Sequence, residues 1–227
     1  MNDTDVVNCV RVGHTYGEGP LAIVAVHDVT CSVTAGARIA LTGPSGSGKT
    51  TLLHMMAGLE PVTMGQLTWP RLEGHAGGGP GVIGLIFQGP SLMPALTALE
   101  NVAFPLVLGG MPDAEARMRA GDALAQLESE QLAPKYPDEL SGGQSQRVAI
   151  ARVLAIEPAL ILADEPTGQL DHEAGRRVVD VLIQAAEHLD AALLISTHDP
   201  RIADRLSANW RMHDGRLIVD PPLGSTR

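Results

Sequence analysis

Residues 38–51 read RIALTGPSGSGKTT, and this stretch decides the fold. Its first five residues are a short apolar run of the kind that forms a strand buried on both faces. Residues 43–51 satisfy the pattern Gly-x4-Gly-Lys-Ser/Thr, and 49–59 then carry Leu52, Met56 and Leu59 at the spacing of one helix face. Strand, glycine loop and helix in that order make a phosphate cradle. Gly43, Gly46 and Gly48 let the backbone bend until its N–H groups converge on an anion, and the helix adds the positive end of its dipole. Pro44, Ser45 and Ser47 complete the loop, and Thr51 follows it. Lys49 supplies a point charge for the β- and γ-phosphates of a nucleotide, and the Thr50 hydroxyl is of the type that ligates Mg²⁺.

Working outward, apolar strands alternate with helices. Residues 82–87 form a run bounded by glycine, 159–163 (ALILA) follow the helix stop Pro158, and 191–196 (AALLIS) follow a helix expected over about 173–189. This alternation predicts an α/β fold with a parallel sheet and helices on both of its faces. Residues 90–158 have a different character, with helical periodicity, no strand pattern, and breaks at Gly109–Gly110, Pro134 and Pro137. Within them Met118, Gly121, Leu124 and Leu127 follow the start signal Pro112–Asp113 and are expected to share one face. The block reads as a helical subdomain inserted into a single domain spanning 1–227, ending in the helix 148–155. Residues 74–84 (GHAGGGPGVIG) read as a loose turn and 220–227 as a frayed tail. There is no internal repeat.

Composition narrows the function. The 227 residues are 44% hydrophobic and 19% charged, an ordinary globular mix. A formal net charge of −10 argues against non-specific nucleic-acid binding, which needs a basic footprint. Cys9 and Cys31 are too few for a disulfide scaffold and read as reduced thiols. The apolar stretch 102–111 is broken by proline and falls short of the roughly 20 residues that cross a bilayer. The amino terminus lacks a secretory profile, so a cytosolic chain is expected.

Two further motifs carry chemistry. Residues 160–165 (LILADE) end an apolar strand in two carboxylates, Asp164 suited to a Mg²⁺ shell and Glu165 to the polarisation of an attacking water. Residues 140–144 (LSGGQ) open a second helix, with Ser141, Gly142, Gly143 and Gln144 forming another anion cradle. A second cradle is superfluous unless it serves a nucleotide held elsewhere, for example on another copy of the chain.

Taken together, these motifs resemble the ATP-binding subunits of ABC transporters over about residues 8–219. The resemblance implies a P-loop NTPase core with an N-terminal antiparallel β portion and the helical insertion. It implies Gln88 as the Q-loop glutamine, contacting Mg²⁺ or the attacking water, His198 as the switch histidine near the γ-phosphate, and Tyr16 as the aromatic stacked on adenine. It implies that Ser141, Gly142, Gly143, Gln144 and the D-loop Asp171 act on ATP bound by a second subunit. Lys49, Gln88, Glu165 and His198 are then the catalytic set, with ATP and Mg²⁺ as ligands. The implied partners are a second ATP-binding subunit, giving a homodimer, and membrane permease chains holding the protein on the inner face of the cell membrane.

Residues 90–108 (PSLMPALTALENVAFPLVL) and 163–171 (ADEPTGQLD) are similar to the lipoprotein-release, macrolide-efflux and cell-division branch of that family. Gln169 stands where the branch usually has Asn, and 65–84 is short and glycine-rich where relatives often carry a longer charged segment. The cell-division relatives suggest an alternative, an ATP-dependent regulatory subunit that signals through a membrane partner without transport.

Overall fold

Two sheets sharing a core organise the chain, and the positions of the chemistry-bearing loops follow from their topology. The computed structural model describes residues 5–72 and 83–219. In chain order the elements are β1 (Asp5–Tyr16), β2 (Ile23–Thr34), β3 (Arg38–Thr42), α1 (Lys49–Met56), β4 (Met64–Thr68), β5 (Ile83–Ile86), α2 (Ala98–Leu108), α3 (Asp113–Gln126), α4 (Gly142–Leu154), β6 (Leu160–Asp164), α5 (His172–His188), β7 (Ala192–Ser196), α6 (Pro200–Ala203), β8 (Ala208–His213) and β9 (Arg216–Val219). One sheet is antiparallel with strand order β2-β1-β4. The other has the order β5-β6-β7-β3-β8-β9, parallel from β5 through β8 and closed by the antiparallel edge strand β9. The fold is that of a P-loop NTPase with an N-terminal antiparallel β portion, as the family resemblance implies.

The parallel strands read as unbroken apolar runs because both of their faces are covered. Ile39, Leu41, Leu160, Leu162 and Leu194 point to the side of α1 and the antiparallel sheet, where they meet Leu52, Leu53, Met55 and Met56. The intervening Ala40, Ile161, Ala163, Leu193 and Ile195 point the other way, onto Val178, Val179 and Leu182 of α5 and onto α4. Each such fully buried Leu or Ile contributes about 1.5–3 kcal/mol relative to exposure. Between β5 and β6 the described chain is helical, with α2, α3 and α4 packed on one another. Helix α2 starts on a capping box in which Thr97 accepts from the Glu100 amide and Glu100 accepts from the Thr97 amide.

Several local expectations are corrected. Helix α1 ends at Met56, and Leu59 lies beyond it, 56% exposed. Gly58 takes φ +73, with Gly58 N–H donating to Met55 O and Leu59 N–H to His54 O, a Schellman stop that the apolar spacing conceals. Helix α3 buries Ala116, Ala120, Ala123 and Leu124, while Met118 is 63% exposed and Gly121 half-buried; the inward stripe is mostly alanine, whose weak hydropathy hides it. Helix α4 begins at Gly142, not at 148. Of the glycine-rich turn expected at 74–84, Ile83 and Gly84 belong to β5. There a methyl on Gly84 would lie 2.4 Å from Val153 of α4, so the glycine is demanded by close strand–helix packing. The remainder of that turn and the tail at 220–227 lie outside the described residues.

Candidate functional site

The loop between β3 and α1 owes its shape to glycines that nothing else can replace. Gly43 and Gly48 take φ +147 and +98, and a methyl would lie 2.2 Å from Met212 O at the first and 2.3 Å from Ala25 O at the second. Gly46, at φ +77, faces open space. Lys49 is only 7% exposed, yet its Nζ donates to two loop carbonyls, Gly43 O and Pro44 O, each at 2.9 Å. A buried ammonium held by carbonyl dipoles rather than by a carboxylate is poised for an incoming anion. Among the described residues the Ser47 hydroxyl is likewise buried without a partner, and the Ser47 amide turns back onto Pro44 O.

Around this loop lies a cleft of about 200 Å³ that brings together Ser45, Gly46, Gly48, Lys49, Thr50, Thr51, Gln88, Asp164 and Glu165. Thr50 Oγ1 donates to Asp164 Oδ2 at 2.7 Å, joining the ends of β3–α1 and β6. Tyr16 ends β1 beside this cleft, its hydroxyl 3.4 Å from Thr51 Oγ1 and its ring edge-on to His14 at 4.3 Å between centroids. Gln88 leaves β5, one residue after Phe87, whose carbonyl accepts from the buried Gln146 of α4.

Glu165 stands in the left-handed region at φ +44, which is costly for a non-glycine residue and survives only when its surroundings impose it. They do so here. Its amide donates to both Ser196 O and Ser196 Oγ, and its carbonyl accepts from Gly168 N–H. His198 Nδ1 lies 3.2 Å from Glu165 Oε2. Glu165, Asp171 and His198 also border a neighbouring cleft of about 670 Å³. Asp171 caps α5 by accepting from the Ala174 amide, and that bond holds its carboxyl below the usual range.

The segment 141–144 lines neither cleft. Ser141 caps α4, accepting from the Gln144 amide while Gln144 Oε1 accepts from the Ser141 amide. Ser141 and Gly142 are exposed. A methyl at Gly142 would lie 2.8 Å from Gln169 Oε1 and one at Gly143 would lie 3.0 Å from Leu170, so Gln169 and Leu170 lie directly against this helix start. The Gln169 side chain thus lies close against the start of α4 within one chain.

Some residues that hold the site together escape sequence reasoning. Ser196 Oγ donates to Asp164 Oδ1 at 2.5 Å while it also receives the Glu165 amide, so one hydroxyl orients both carboxylate-bearing residues. A hydroxyl ending an apolar strand whose register partner is Asp164 is the signal that could have found it. Asn101, fully buried, is bonded to Met93 N, Met93 O, Leu96 O and Thr97 O, and Arg152 donates to Ser91 O and Oγ; together they pin the chain that follows Gln88. Ser196→Ala leaves a 3%-exposed carboxylate short of a donor. We expect a loss of about 1–3 kcal/mol of stability by chemical denaturation. ATPase turnover should fall as well and recover with Ser196→Thr.

Comparison with known proteins agrees with this geometry. A family model described as ABC transporter matches residues 26–168. The chain is 38% identical to the lipoprotein-releasing system ATP-binding protein LolD of Legionella pneumophila (strain Paris), over 96% of this chain and 99% of that protein. It is 37% identical to the LolD of Pseudomonas syringae pv. tomato, with the same coverage. Among solved structures, the dimeric ATP-binding cassette MJ0796 bound to ADP and Pi superposes with a TM-score of 0.88 at 35% identity, covering 97% of this chain and 100% of that one. CbiO1 from Clostridium perfringens, part of an ABC transporter complex, gives a TM-score of 0.80 at 28% identity over 95% and 87%. No helix among the described residues is long and apolar enough to cross a membrane. With the phosphate loop, the paired carboxylates and the second helix cradle in one fold, the chain belongs to the ATP-binding, ATP-hydrolysing subunits of ABC transporters.

Proposed function

We propose that this chain drives a lipoprotein-release type of transporter, binding ATP between two copies of itself and passing the resulting closure to permease chains. The buried Lys49 ammonium, held by loop carbonyls and with no carboxylate partner among the described residues, is the observation that carries the nucleotide assignment. The near-full-length match to two lipoprotein-releasing ATP-binding proteins supports the substrate class. The whole chain, 1–227, acts as one nucleotide-binding domain, with 90–158 as its helical subdomain. A position on the inner face of the membrane follows from attachment to the permease.

In this reading the N–H groups of 43–51 and Lys49 hold the β- and γ-phosphates, and Tyr16 stacks on adenine. The γ-phosphate displaces Lys49 from its carbonyl partners, so the lysine meets negative charge as the cleft fills. Thr50, Asp164 and Gln88 would hold Mg²⁺, which would supply positive charge to the β- and γ-phosphate oxygens. Thr50 and Asp164 already share a hydrogen bond, and an ion that completes its shell from phosphate and water needs only a few such protein oxygens. Glu165 accepts a proton from the attacking water. His198 and the Ser196-anchored backbone keep its carboxylate oriented.

The permease contact is read from the held loop 88–94. Arg152 fixes Ser91, Asn101 fixes Met93, and Gln146 fixes Phe87, so a push on this loop reaches α2 and α4 together. Because α4 begins at the Ser141 cradle, the same push reaches the second nucleotide half-site.

The test is a mild-detergent purification of the tagged chain from its native host. Co-purification of a membrane protein that stimulates ATPase activity when reconstituted with a lipoprotein substrate supports the reading; a membrane partner that changes state with ATP and moves no lipoprotein replaces it with the signalling role. Separately, Tyr16→Ala is expected to weaken ATP binding by about 1–2 kcal/mol, the scale of one aromatic stacking contact, as measured by fluorescent-nucleotide titration. Unchanged affinity would move the adenine platform elsewhere.

A further inference from the structure

The two cysteines are Cα partners across the antiparallel β1–β2 pair, Cys9 opposite Cys31. Directly opposed residues in such a pair share a face of the sheet and stand about 4.5–5.5 Å apart at Cα, inside the span a disulfide accepts. Both thiols are free. They differ in access: Cys9 is fully buried in the core beneath the sheet, whereas Cys31 is only half-buried, on the outer strand of the order β2-β1-β4. The ATPase mechanism uses neither.

We propose that Cys9 and Cys31 are an oxidisable dithiol, a modification site at which a low-molecular-weight disulfide of the glutathione class installs a reversible cross-strand bond. The difference in burial sets the order of events. Cys31 loses its proton and its sulfur attacks one sulfur of the small disulfide; that S–S bond breaks, and one small thiol leaves carrying the proton. Cys9 then gives up its own proton as its sulfur attacks the Cys31 sulfur of the mixed disulfide, expelling the second small thiol. The two cysteines lose two protons and two electrons, and one small disulfide is reduced to two thiols. The bond would join the strand that ends in Tyr16 to the strand whose Ala25 carbonyl lies against Gly48, closing a loop of chain between residues 9 and 31. The hydrogen bond with Cys9, together with burial, holds the Cys31 thiol well above its ordinary range, so the thiolate is a minor species at neutral pH and exchange is slow there.

The experiment incubates the full-length chain, freed of reductant, with oxidised glutathione and follows intact mass and thermal unfolding. Wild type is expected to reach a mass two hydrogens lighter, restored by dithiothreitol, with an unfolding temperature several degrees higher. Cys9→Ala should stop at a glutathione adduct on Cys31, because no second thiol resolves it. Cys31→Ala should remain unmodified over the same period, because Cys9 is shielded. The initial rate should rise about tenfold per pH unit between pH 7 and 8, as the thiolate fraction does. Accumulation of the adduct in wild type without the internal bond would overturn the proposal, as would equal modification of Cys9 in the Cys31→Ala chain. The wild-type mass decides the matter even if either variant folds poorly.

Discussion

Glu165→Gln is expected to leave ATP binding intact and to lower turnover by two to four orders of magnitude, about the contribution of a general base. The substitution preserves shape and hydrogen-bonding length while removing the ability to accept a proton. Its effect should be confined to chemistry, because the backbone at 165 is fixed by groups the side chain does not touch. Both Ser196 O and Ser196 Oγ receive the amide, and Gly168 donates to the carbonyl, so the unusual φ of +44 persists in the variant. Unfolding temperature should therefore change little. With hydrolysis blocked, ATP should accumulate on the protein and hold two chains together, visible as a dimer by size-exclusion chromatography. A variant that keeps half the wild-type rate would sink the assignment of Glu165 as base. His198→Ala offers a graded comparison: it removes the group 3.2 Å from Glu165 Oε2 and leaves the carboxylate itself, so a smaller loss is expected.

What could be read from sequence was local chemistry with a fixed spacing. The phosphate loop was legible because its glycines answer to backbone constraints written within nine consecutive residues; Gly43 and Gly48 would collide with Met212 O and Ala25 O if they carried a methyl. The parallel strands were legible because burial on both faces leaves an apolar run without gaps. The antiparallel β1 and β2 were not legible from periodicity. Their pairing is interrupted between Cys9 and Val12, between Val12 and His14, and between His14 and Thr15, and each irregularity breaks the alternation on which a strand is recognised. That sheet came from resemblance alone. Within the site, the positioning residues stayed hidden because their partners are remote in sequence. Ser196 meets Asp164 across 32 positions and Gln146 meets Phe87 across 59, so no local pattern marks either one.

The largest effect specific to the assembly is expected from mixing two inactive chains. A Lys49→Ala chain loses the buried ammonium to which we assign phosphate binding, and a Ser141→Arg chain loads bulk and charge onto the exposed start of α4. Each alone should fall to background, on the order of a hundredfold or more below wild type, since every site in either homodimer lacks one half. The reason for expecting rescue on mixing is geometric. The 141–144 cradle lines neither cleft of its own chain, Ser141 and Gly142 face solvent, and the similar cassette MJ0796 is a dimer with nucleotide bound. In a mixed dimer the intact phosphate loop of the Ser141→Arg chain faces the intact cradle of the Lys49→Ala chain, making one complete site out of two. Random pairing of equal amounts then limits recovery to about a quarter of wild-type turnover in a two-fold symmetric dimer. Recovery near that level fits independent sites acting across the interface. Mixed dimers that form and stay silent mean that both sites must be complete before either fires. Undiminished activity of the Ser141→Arg chain, or full turnover by a chain verified as monomeric, would mean that the second cradle takes no part. The nearness of Gln169 to Gly142 sharpens the test, because Gln169→Ala removes the side chain that lies against the second cradle while leaving both cradles chemically whole. In the mixed dimer that change should lower the recovered rate without lowering ATP affinity, which places the cost in closure of the interface rather than in nucleotide capture.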